Sequence, residues 1–250
     1  MTVLHLDRWA DIDSPLHKLD PRAKVLATLA AVVTISSAPS GSLTPFTWFY
    51  ALIALLVGLS RVPPDWLLHR CLLASPFILM AAALPAFSLW LEGARLHPSA
   101  ASIAVRAAVI ALKAYAAVIL LALLVATTRF SHLLWALHAL RAPEVLHVMA
   151  GLMHRYAYVL ADEWRRTNMA RDSRAGATLS GRRRLQIFSQ QIATIFLRGW
   201  DRATRIHWAM LSRGFTGAMP VLARFRFGLA DWLFLLMLAS ACVSIRWRFP

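Results

Sequence analysis

Charge is scarce in this sequence: only 16% of its 250 residues are Asp, Glu, Lys or Arg. Soluble domains carry nearer a quarter, so a water-soluble globular domain is excluded. Cysteine is scarcer still. Cys71 and Cys242 each sit in an apolar run, which leaves no disulfide framework and no thiolate metal site. The nine histidines are scattered; His147 and His154 are seven apart and His132 and His138 six apart, with no set of three or four converging ligands. There is no Gly-x-x-x-x-Gly-Lys-[Ser/Thr] loop to cradle phosphates, no His-Glu-x-x-His, no Gly-x-Ser-x-Gly and no carboxylate pair at catalytic spacing. No enzyme chemistry, cofactor site or metal site is expected. The first twenty or so residues are polar, with Asp7, Asp11, Asp13 and Asp20, so no cleaved signal peptide is expected either.

Hydrophobic residues are abundant, at 59%, and mean hydropathy is +0.57. The expected fold is all-α: a polytopic helical membrane protein with about five transmembrane helices and long amphipathic helices outside the membrane. The net charge of +15 would suit nucleic acid, but its distribution does not. Residues 128–226 hold 16 of the 27 Lys and Arg against five acids. A basic block beside hydrophobic spans is what the positive-inside rule gives for a cytoplasmic region, and no nucleic-acid motif accompanies it.

Four regions follow. Residues 1–22 are a polar lead-in ending in Leu19-Asp20-Pro21-Arg22-Ala23-Lys24, where Asp20 fits an N-cap with Pro21 at the first helical position. Residues 23–127 read as four spans, at about Ala23–Ser37, Thr44–Ser60, Cys71–Trp90 and Ala100–Ala126. Arg61–Arg70 forms a polar turn, and Pro76 and Pro85 are expected to bend the third span. Ala23, Ala27 and Ala31 make a small-residue ladder suited to close packing within the chain. Arg106 and Lys113 share a face of the fourth span. Arg106 can reach the interface, whereas mid-span Lys113 is expected to face the bundle or a partner. Residues 128–226 form the cytoplasmic region, opened by a short surface helix at Ser131–Leu140. Residues 227–250 carry the final span, about Phe227–Ile245. Five spans put the N-terminus inside and the C-terminus outside; Val145–Leu160, dipping into the membrane, would supply a sixth.

Within the basic block, Leu146, Met149, Met153, Tyr156, Leu160 and Trp164 recur at steps of three and four, as do Leu185, Phe188, Ile192, Ile195, Gly199, Ala203, Ile206 and Met210. This period marks two long amphipathic helices. Each ends in an arginine between small residues: Ser173-Arg174-Ala175 and Ser212-Arg213-Gly214. Such an end is narrow enough to enter a groove, where a guanidinium can pair bidentately with a carboxylate. The plainer reading makes Gly214 a helix C′ residue and Arg213 a partner of the helix dipole. Arg198, Arg202 and Arg205 share a face expected to meet lipid headgroups or solvent.

These residues resemble a known family, the transmembrane T component of energy-coupling factor (ECF) transporters, in its cobalt-type CbiQ branch. Leu19-Asp20-Pro21-Arg22-Ala23-Lys24 is similar to its opening signature. Arg155-Tyr156, Asp162-Glu163 and Ala170-Arg171-Asp172-Ser173-Arg174-Ala175 are similar to its first coupling segment. Leu197-Arg198-Gly199, Asp201-Arg202 and Ala209-Met210-Leu211-Ser212-Arg213-Gly214-Phe215-Thr216-Gly217 are similar to its second. The resemblance implies a non-catalytic, multi-pass subunit of the cell (inner) membrane with no cofactor of its own. Its partners would be membrane lipid, a small membrane S component that binds substrate, and two cytoplasmic ATPase subunits that bind the ATP. The ATPase-docking residues it implies are Ser173, Arg174 and Ala175, then Ser212, Arg213 and Gly214, with Arg171 an alternative to Arg174. The family's first motif usually ends in glycine, and here Ala175 stands in that place. Cobalt or nickel is the implied cargo, with a vitamin as the alternative.

Two other classes lack their sequence features. A self-sufficient permease calls for inverted repeats or paired broken helices, and no repeat is visible. A membrane-embedded transferase calls for acidic or histidine clusters, and Asp162-Glu163 is too little.

Overall fold

A computed structural model describes residues 14–17, 19–39, 43–91, 100–175, 181–218, 225 and 227–248. The described secondary structure is helical: α1 Pro21–Ser36, α2 Thr44–Ser60, α3 Pro64–Leu91, α4 Ala100–Thr127, α5 Phe130–Ala139, α6 Glu144–Ala175, α7 Gly181–Ser212 and α8 Leu229–Arg248. Two compact units result. One holds α6 and α7 within Leu137–Leu222; the other holds α1 to α4, most of α5, and α8.

The second unit is a bundle packed around α1, α2, α4 and α8. Ala27, Ala31 and Ile35 of α1, Phe46, Phe49 and Ile53 of α2, Val109, Ala116 and Leu120 of α4, and Leu238 and Cys242 of α8 form its core. The alanine ladder of α1 is closed inside this chain, with Ala23, Ala27 and Ala31 all buried. Removing β-carbon bulk along one stripe lets α4 and α8 approach α1 closely. The lipid-like surface lies elsewhere: Leu68, Leu72, Phe77 and Met80 of α3 are mostly exposed.

The third helix differs from expectation at its start. The polar turn is short, because α3 begins at Pro64 and takes in Asp65–Arg70. Arg61 closes α2 in the left-handed region at φ 56°, and Pro64 then supplies a first-turn φ with no N–H to satisfy. Pro76 and Pro85 both lie inside α3. Pro76 frees the carbonyl four residues earlier, at Leu72, and the Ser75 hydroxyl donates to it at 2.7 Å. The short helix α5 also departs from expectation. It is not a simple surface helix, since Trp135 and Ala136 are buried.

Two helical stretches, residues 64–85 and 103–127, are long and apolar enough to cross a bilayer core of about 30 Å. Residues 44–60 and 229–245 are apolar but shorter. At 16 residues, α1 spans only about 24 Å.

Candidate coupling surface

The two amphipathic helices form as their periodicity requires, and each runs for 32 residues, about 48 Å. α6 is launched by a tight reversal. Arg141 takes φ 70° after α5, Arg141 N donates to His138 O, and Ala142 N donates to Leu137 O, each at 3.0 Å. This double closure ends α5 in a Schellman motif, and Pro143 follows it.

α6 and α7 enclose an apolar groove of about 770 Å³ between Tyr156, Leu160 and Trp164 on one side and Ile195, Gly199 and Ala203 on the other. The apolar stripe of α6 continues past the groove with nothing from this unit over it. Leu146 and Met149 are 58% and 61% exposed, against 5% for a core residue such as Leu238, and Met153 at the groove's edge is 68% exposed. The spacing foresaw the stripe; only the structure shows that its first half stays uncovered.

A different chemistry holds the other side of the crossing. Gln191 of α7 is buried, donates to Asn168 Oδ1 at 2.8 Å and accepts from Arg171 Nη1 at 3.3 Å. Arg171 also holds Asp172 through Nε and Nη2, at 3.0 and 2.9 Å. Arg198 pairs with Glu163. Arg198 is therefore tied to α6, in addition to lying on the arginine face that was expected to meet lipid or solvent. Neither Gln191 nor Asn168 was a sequence candidate, because a polar pair across a helix crossing leaves no periodic trace.

The arginine ends can be compared directly. The Ser173 hydroxyl donates to Met169 O and Ala170 O of its own helix, and that of Ser212 donates to Ala209 O. Ser212 and Arg213 are exposed, and among the described residues the Arg213 guanidinium is unpaired. α7 ends in a second Schellman motif, with Gly214 at φ 80°, Gly214 N donating to Leu211 O and Phe215 N to Met210 O, each at 3.0 Å. Gly214 is thus the helix C′ residue. Arg174 and Ala175 close α6, and their side chains lie outside the described residues. Of the two candidates in that segment, Arg171 is engaged in the inter-helix network.

A family model described as CbiQ, cobalt transport protein, matches residues 13–222. The chain belongs to the CbiQ family. The chain is 30% identical over 198 residues to the cobalt transport protein CbiQ of Rhodobacter capsulatus, covering 79% of this chain and 78% of that one. It is also 30% identical, over 264 aligned positions, to the energy-coupling factor transporter transmembrane protein EcfT of Thermanaerovibrio acidaminovorans, covering 96% and 94%. Membership of the CbiQ family makes the chain a T component of an ECF transporter, a non-catalytic membrane subunit that works within a larger complex and carries no cofactor. The family match takes in α1 to α7 and stops before α8.

Proposed function

We propose that this CbiQ-family subunit couples ATP hydrolysis by two cytoplasmic ATPase subunits to movement of a small membrane S component, and that the cargo is cobalt or nickel. One observation carries the reading. Two 32-residue helices each close on a serine, an arginine and a small residue, and Arg213 stands exposed at its tip with its charge unspent. Ser173, Arg174 and Ala175 would enter one ATPase groove, and Ser212, Arg213 and Gly214 the other. Arg171 stays second to Arg174 because its guanidinium is already shared with Gln191 and Asp172. The uncovered stripe at Leu146, Met149 and Met153 supports contact with a membrane partner.

Five spans in the cell membrane fit this reading, with residues 1–22 and 128–226 on the cytoplasmic side, residues 23–127 and 227–250 in the membrane, and lipid around the bundle. The support is that the N-terminus of α1, the C-terminus of α4 and the N-terminus of α8 meet at one junction. Four spans followed by a cytoplasmic excursion and a fifth require these three ends on one side. The metal cargo is supported by the name of the Rhodobacter relative. A vitamin cargo stays the alternative, because the name of the EcfT relative, which aligns over more of the chain, specifies no cargo.

The test is a mild-detergent pull-down of the tagged chain from its host, with mass spectrometry and a cobalt uptake assay. Two ATPase subunits and a small membrane protein are expected. Recovery of the chain alone, stable and still driving uptake, would overturn the coupling reading.

A further inference from the structure

The opening signature Leu19–Lys24 is the one sequence motif that the coupling surface leaves unused. An N-cap accounts for part of it: Asp20 Oδ1 accepts from Arg22 N at 2.8 Å, with Pro21 at the first helical position. The rest exceeds what capping one helix needs. Three residues of this hexapeptide, Asp20 through its backbone N–H and Arg22 and Lys24 through their side chains, reach three other places in the chain.

Asp20 joins α8. Its backbone N–H donates to Asp231 Oδ1 at 2.7 Å, while Asp231 Oδ2 accepts from Gly228 N at 2.8 Å. Lys24 joins the end of α4, donating to Thr127 O at 3.0 Å and to His17 O at 3.2 Å. Arg22 joins α5, with its guanidinium carbon 4.1 Å from the ring centre of Trp135. Trp135 in turn lies 4.8 Å from the ring of Phe225, in the segment leading to α8. Asp20, Lys24 and Asp231 are each at most 6% exposed. One cation and two carboxylates thus lie in a site that water barely reaches, with the partly buried Arg22 beside it.

The placement gives this junction its meaning. The chain leaves the bundle through Thr127 and α5, and returns through Phe225 and Gly228 to α8. Everything between those points belongs to the α6–α7 unit. The signature therefore grips both the exit and the re-entry of the coupling region.

We infer that Asp20, Arg22 and Lys24, with Asp231 and Trp135, form a clamp that holds the two roots of the coupling region as one base, so that a pull on α6 and α7 reaches the bundle as a single displacement. These are positioning residues. The inference rests on the coupling reading for its purpose, though not for its geometry. Without the clamp the roots would yield separately, and ATP would be hydrolysed with little transport. Burying these charges is a poor choice for stability alone, because an apolar replacement often serves as well.

Hydrogen–deuterium exchange on the full chain in nanodiscs, with whatever subunits co-purify, tests the clamp. The variants are Arg22→Gln, Lys24→Met and Asp231→Asn. Exchange at residues 129–136 and 227–233 should rise together, at least fivefold, while residues 186–200 at the α6–α7 crossing stay at the wild-type level. A rise confined to α1, or at one root without the other, would overturn the clamp. Arg22→Lys keeps a cation over Trp135 and should retain wild-type protection, which remains informative if Lys24→Met or Asp231→Asn misfolds. In the assembled complex, Arg22→Gln should lower cobalt uptake per ATP hydrolysed at least tenfold with ATPase recovery unchanged. Uptake and hydrolysis falling in proportion would mean a purely structural role. If ATPases do not accompany the wild type, the coupling reading fails, and the paired exchange at the two roots still decides the clamp.

Discussion

The Lys113 ammonium lies 2.9 Å from the carbonyl oxygen of Ser36 and 2.7 Å from that of Ala38. It is the mid-span cation of α4, and it closes the C-terminal end of α1. The last carbonyls of a helix have no donor within it, and here Lys113 of α4 supplies one.

Replacing Lys113 by leucine should therefore act on the bundle alone. Two carbonyls lose a donor, and the melting of the detergent-solubilised chain should reflect a loss of about 1–3 kcal/mol. ATPase recovery should be unchanged, since Lys113 is far in sequence from both arginine tips. A pull-down in which the ATPases vanish would show that the span does more than anchor.

At the second tip, Arg213→Glu should abolish recovery of the ATPase subunits, and Arg213→Lys should weaken it. Glutamate reverses the charge offered to a partner carboxylate, while lysine keeps the charge and loses the two-pronged geometry. Arg213 is exposed, so neither change should alter melting by more than about 0.5 kcal/mol. Full recovery with Arg213→Glu would remove Arg213 from the docking surface.

Gly214→Ala isolates the turn from the charge. A β-carbon there meets no atom within 4 Å, so only the backbone at φ 80° resists it. The cost is about 1 kcal/mol, local to the last turn of α7. A spin label at Ser212 should report increased fraying, and ATPase affinity should fall by less than tenfold.

For the crossing, Gln191→Leu leaves the Asn168 side chain without its cross-helix donor and frees Arg171 from α7. Amide exchange in residues 164–172 should rise several-fold, because a half-satisfied buried network costs more than an apolar one. The variant also asks whether the freed Arg171 docks: stronger ATPase binding in Gln191→Leu, lost on adding Arg171→Ala, would promote Arg171 over Arg174.

Ser75→Ala tests the proline-bearing helix. The Leu72 carbonyl, already stripped of its helical donor by Pro76, would lose its replacement. A melting loss of about 1 kcal/mol is expected. An unchanged melting curve would mean that the carbonyl finds another donor.

Local rules in the sequence determined a good deal. Proline and aspartate placed the start of α1, the period of three and four placed α6 and α7, and the family motifs identified the chain as a T component. These features are set by neighbours within four residues, so they can be read along the chain. The start of α3 was misjudged because Asp65, His69 and Arg70 looked like a turn, whereas a helix that begins at Pro64 carries them in its first two turns. What only the tertiary structure decided are pairings across long intervals: Lys113 with Ser36, Gln191 with Asn168, Asp20 with Asp231, and Arg22 with Trp135. They join residues 23 to 211 apart, three through hydrogen bonds and Arg22 with Trp135 through a cation over a ring. A hydrogen bond needs atoms within about 3 Å, and no periodicity carries that information. It arises only when packing of the apolar stripes has brought the helix ends together.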